Sequence, residues 1–143
     1  MNPIIDHLQI TVKNLTKAEL FYDQLMPILG FDLGAKSKGK VEAHELDVIE
    51  YGHPNFIFAV SSPRHIFRDE AVHRRKPGAI HHIAFRASSE KEVDEAYRKI
   101  KTFTNNIVAP PQFYPQHGTH YYALFFKDED GIKLEIVYEN RLG

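Results

Sequence analysis

From Leu8 to Val12 the chain alternates apolar and polar side chains, and residues 4–12 are predicted to form a half-buried strand. Thr16-Lys17-Ala18-Glu19 then carries a capping-box pattern, and Ala18, Phe21, Tyr22 and Leu25 recur at helical spacing. Pro27 is expected to end that helix near residue 26, because the residue before a proline is pushed out of the α region. Gly30 and the Gly34/Gly39 stretch punctuate three further predicted strands, at about 30–35, 43–50 and 55–61.

The same order returns in the second half. Residues 80–87 read as a strand, and Ser89 with Glu92 forms a second capping box ahead of Val93, Ala96, Tyr97 and Ile100 on one helical face. Strands follow at about 107–109, 120–127 and 132–138, the last two joined by the turn Asp128-Glu129-Asp130-Gly131. The polar stretch 63–78, with Pro63, Pro77 and five basic residues, reads as a connector. The pattern predicts an α+β fold of two paired βαβββ modules, about 1–62 and 79–143, in one domain spanning 1–143. Their sheets should curve as a mixed sheet around one cleft.

Side chains on a strand alternate faces, which allows the cleft lining to be read from the sequence. Leu8, Ile10 and Val12 form the apolar face of the first strand, so His7, Gln9 and Thr11 point the other way. By the same parity His82, Ala84 and Arg86 oppose Ile83 and Phe85, while Lys133, Glu135 and Val137 oppose Leu134, Ile136 and Tyr138. Two imidazoles and a carboxylate are thereby expected on one concave surface. Such a set suits one divalent ion (Zn, Fe, Mn, Ni or Co) and leaves coordination positions open for water or substrate. Nine histidines in 143 residues make any single one weak evidence, and His44, His53, His65 and His73 have no assigned role.

Composition narrows the partners. Eighteen basic and nineteen acidic residues give a net charge of -1 without a basic stripe, which argues against nucleic acid and anionic membrane surfaces. There is no cysteine for a disulfide, a thiolate nucleophile or a Cys-based zinc site. Neither a signal-peptide pattern nor an apolar run long enough to span a bilayer occurs, and a cytoplasmic location is expected.

The stretches 6–12, Phe21-Tyr22, His82-Ile83-Ala84-Phe85 and Asp128 to Ile136 resemble the vicinal-oxygen-chelate superfamily, which includes glyoxalase I, fosfomycin-resistance proteins, extradiol dioxygenases and bleomycin-binding proteins. By that resemblance His7, His82 and Glu135 match three of the family's four metal positions, and His81 falls one residue off the motif on the helix side. The fourth position, counted from Gly52 as Glu135 is counted from Gly131, lands on Phe56, where any register is apolar. Three protein ligands resemble the fosfomycin-resistance and dioxygenase branches, and the acid/base residue of glyoxalase I would be missing.

The resemblance implies a metal-dependent lyase, isomerase or dioxygenase acting on a small oxygen-chelating substrate. Phe56 or Phe58, Tyr121 and Phe125 are expected to wall its pocket, with Arg86 reaching the substrate. The stretch Pro110 to Tyr122 reads as a stiff loop whose His117 or His120 could serve as acid or base. The alternative is a metal-free protein that sequesters a drug or aromatic ligand. A homodimer is expected, because the first strand begins with Ile4-Ile5 and has no edge-blocking Pro or Lys before Lys13.

Overall fold

In the computed structural model, which describes residue 1 and residues 3–140, the chain divides into two compact units, Met1–Ala71 and Val72–Gly143. Each holds one helix and a four-stranded mixed sheet.

The first unit runs β1 (His7–Thr11), α1 (Leu15–Ile28), β2 (Ser37–Val41), β3 (Leu46–Gly52) and β4 (Ile57–Ser61). Its sheet order is β1-β4-β3-β2, with β1 parallel to β4 and the other pairs antiparallel. One face of α1 buries Ala18, Phe21, Tyr22, Leu25 and Met26. Across from it, Ile10, Ile49, Tyr51, Phe58 and Val60 are buried on the sheet. Each large side chain of this kind contributes about 1.5–3 kcal/mol on leaving water.

Three local expectations are corrected here. The cap of α1 is Asn14, whose side chain accepts from the Lys17 N–H at 3.0 Å, so the helix starts before the Thr16 pattern. Pro27 lies inside α1 rather than ending it. The stop comes from Gly30 at φ +91°, where the Phe31 N–H returns to the Met26 carbonyl and the Gly30 N–H to that of Pro27. Residues 33–35, expected in a strand, form a 3₁₀ turn capped by the Asp32 side chain on the Gly34 N–H. The true strand, Ser37–Val41, is an edge exposed along its whole length and so carries no apolar alternation to read.

The second unit runs β5 (Ile83–Arg86), α2 (Glu90–Ile100), β6 (Ile107–Phe113), β7 (Tyr122–Lys127) and β8 (Lys133–Tyr138), in sheet order β5-β8-β7-β6. The predicted cap is present: Ser89 accepts from the Glu92 N–H, and the Glu92 carboxylate accepts from the Ser88 N–H at 2.7 Å. Hydrogen bonding from Ser88 holds the Glu92 carboxyl below its usual range. Val93, Ala96 and Ile100 are buried, as their spacing predicts. In the β7–β8 turn, buried Asp128 accepts from the N–H groups of Asp130 and Ile132, and Gly131 takes φ +86°.

Pro110 and Pro111, expected in a loop, belong to β6. Prolines are tolerated there because β6 is an edge strand whose pairing with β7 shifts register between Ala109 and Gln112.

Candidate metal and substrate site

Four polar side chains are buried among the described residues: Ser61, Thr104, Asp128 and Glu135. The first three serve backbone groups: Ser61 donates to the Ile10 carbonyl, Thr104 accepts from the Asn106 N–H, and Asp128 closes its turn. Glu135 differs. Its carboxylate, 1% exposed, accepts from the Tyr121 hydroxyl on Oε1 and stands 3.4 Å from His82 Nε2 through Oε2. A buried carboxylate is costly unless partnered, and both of its partners are side chains able to do chemistry.

Strand register explains the gathering. Glu135 pairs with Ala84 on β5 and with Phe125 on β7, and Val137 pairs with Arg86 and Ala123. These residues share the face of the second sheet turned away from Leu134 and Ile136. Ala123, Phe125 and Val137 form an apolar cluster there, with Ala109, Tyr114 and Tyr121 packed against it. Tyr114 meets the Phe125 ring edge-on at 5.3 Å, and burial together with the Glu135 charge raises its phenol pKa. Lys133 lies over the Phe125 ring at 4.5 Å. Arg86 extends to Glu139 at 3.4 Å, so its charge is already partnered.

His82 sits just before β5, exposed, with Nδ1 at 2.7 Å from Nδ1 of His81. His81 therefore does not turn to the helix side: it is exposed, and its ring supports that of His82. Desolvation, followed by the charges of His82, Arg74, Lys133 and Arg75, holds the His81 pKa below the usual range. In the first unit His7 directs Nδ1 to the Asp6 carboxylate at 2.6 Å, which leaves Nε2 available. His7 thus has Nδ1 tied and Nε2 offered, the arrangement that orients an imidazole ligand, whereas His82 has Nδ1 against His81 and Nε2 turned to Glu135. Among the described residues no three His, Asp or Glu side chains form a metal-holding group; the second unit offers the pair His82 and Glu135.

Phe58 is fully buried against Tyr22, and Phe56 packs edge-on against Phe31. Both take the helix side of the first sheet, so neither is the expected pocket wall. Ala59 pairs with Gln9 as Glu135 pairs with Ala84, and Ala59 rather than Phe56 is the counterpart of Glu135. The fourth position remains apolar. His117 and His120, in the loop between β6 and β7, are both exposed; the His117 ring lies tilted beside that of Tyr121 at 5.2 Å. The Tyr121 hydroxyl bond was not read from sequence, because a contact across fourteen residues depends on how the loop folds back.

A profile of the Glyoxalase/Bleomycin resistance protein/Dioxygenase superfamily matches residues 4–136. The Bacillus subtilis protein YqjT, itself uncharacterized, is 25% identical over 132 residues, 92% of this chain and 95% of its own. The crystal structure of a provisionally assigned glyoxalase from Bacillus halodurans superposes with TM-score 0.76 at 26% identity, covering 96% of this chain and 97% of that one. The fosfomycin resistance protein FosX of Listeria monocytogenes superposes with TM-score 0.66 at 18% identity, covering 99% and 97%.

Proposed function

The chain belongs to the glyoxalase/bleomycin resistance protein/dioxygenase superfamily, and on that premise we propose that it is a divalent-metal-dependent enzyme acting on a small oxygen-bearing substrate. His7, His82 and Glu135 would hold the ion, with residues 1–143 acting as one domain. The observation that carries this is Glu135, a buried carboxylate directed at His82 beside the apolar cluster of Ala123, Phe125 and Val137. The donor set fits: neutral imidazole nitrogens and a carboxylate are common ligands of Zn²⁺-like ions.

When bound, such an ion polarises a substrate oxygen. The protein's own residues do the rest. Tyr121 holds one oxygen of Glu135 and so fixes the carboxylate's orientation. Ala123, Phe125 and Val137 keep the face dry, and Lys133 over Phe125 brings a positive charge to it. His117, beside Tyr121, is the loop histidine better placed for acid or base work. No described helix is long and apolar enough to cross a membrane, and the proposal includes a cytoplasmic homodimer.

A second reading, a metal-free binder of an aromatic ligand, is favoured by one observation: the buried Glu135 carboxylate has two side-chain partners, Tyr121 and His82. Titrating the purified chain with Zn²⁺ and Mn²⁺ separates the two. One ion per chain, held more weakly by His7→Ala, His82→Ala and Glu135→Gln, is expected. Affinity unchanged in all three variants would reject the metal reading.

A further inference from the structure

A cavity of about 320 Å³ opens on the first unit, on the face of β1 that carries Gln9 and Thr11. Its polar lining includes Gln9, Thr11, His44 and Arg64, and no carboxylate. The Arg64 guanidinium has no ion-pair or hydrogen-bond partner among the described residues. This is unusual in its neighbourhood: nearby Lys40, His65 and Arg68 each face a carboxylate. Leu46, Pro63 and the half-exposed Phe67 supply an apolar wall. Ser61 and Ser62 also reach the cavity, but their hydroxyls are engaged with backbone groups. Beside it Glu45 takes φ +53°, a left-handed conformation rare outside glycine, which turns the chain between His44 and Leu46.

We infer that this cavity binds a small monoanion with an apolar body, its carboxylate on Arg64 and its body against Leu46 and Phe67. A guanidinium offers paired N–H donors that match a planar carboxylate, and Thr11 and Gln9 add neutral donors from the strand. The volume suits a ligand at the small end of the usual range of about 300–1,000 Å³. Thr11 and Gln9 follow His7 on the same strand face, so the cavity lies along β1 from a proposed metal ligand. It requires no metal.

The test uses the full chain with EDTA present, so that its outcome is independent of the proposed metal site. Benzoate, benzyl alcohol and inorganic phosphate are titrated in turn while backbone amide resonances are followed. Benzoate should shift the amides of Gln9, Thr11 and Ser62 saturably in the millimolar range, with benzyl alcohol giving no saturable shift. Arg64→Ala should weaken benzoate binding at least about tenfold, and Arg68→Ala should leave it unchanged. Phosphate binding as tightly as benzoate would overturn the apolar-body assignment. The absence of saturable benzoate shifts, or equal binding in Arg64→Ala, would overturn the site.

Discussion

The Tyr121 hydroxyl donates to Glu135 across the open face of the second sheet, joining the residue just before β7 to the middle of β8. Removing it leaves a buried carboxylate with His82 as its remaining side-chain partner. Tyr121→Phe should therefore destabilise the protein by about 1–3 kcal/mol. Urea denaturation measures this, and a midpoint equal to that of the parent would show that the bond contributes nothing.

Metal affinity should depend on pH through the imidazoles. Ligand histidines must be neutral to bind, so affinity is expected to drop as the solution is acidified. A competition titration from about pH 8 to 5 checks it, and a flat profile would exclude histidine ligation.

The start of α1 provides a test of local structure. Asn14 accepts the Lys17 N–H, whereas Thr16 lies within the first turn. Asn14→Ala should cost about 1 kcal/mol and Thr16→Ala markedly less. Equal losses would point to a cap at Thr16 instead.

Lys36 joins Glu19 and Asp23 of α1 to the segment before β2, and the Tyr51 hydroxyl also donates to Asp23. Bonds from Lys36, then Lys38, hold the Glu19 carboxyl below its usual range despite burial. Burial pulls the Lys36 ammonium down, but its bonds to Asp23 and Glu19 leave it raised overall. A depressed carboxyl adds stability above its unfolded pKa and loses it as pH falls through the folded one. Between about pH 5 and 3, the parent should lose more stability than Lys36→Met does. Parallel curves in thermal melts would dissociate Lys36 from acid lability.

Homodimerisation is expected from sedimentation at micromolar concentration, and a mass of 16.5 kDa would rule it out. Mixing His7→Ala with His82→Ala chains then asks whether sites are shared between subunits. Recovery of metal binding on mixing would mean that one chain supplies His7 and its partner His82.

The repeated βαβββ order, both helices and the faces of β1, β5 and β8 were legible in the chain, because period-2 and period-3.6 burial patterns are local. So was the Ser89–Glu92 cap, where three residues of spacing bring both groups together. The edge strand β2 was not, and of β6 only its start at 107–109 was. The first is exposed throughout and bears no burial pattern, while the prolines of the second read as a loop.

The candidate site divides in the same way. Parity predicted His7, His82 and Glu135 on one concave surface, and their types suggested a metal. Counting residues across the first sheet chose Phe56, yet strand pairing makes Ala59 the counterpart of Glu135. Register between strands is set by turns and core packing, not by distance along the chain. Only the tertiary structure brought Tyr121 to Glu135, His81 to His82 and Arg64 into a cavity without carboxylates, because each depends on where a loop comes to rest.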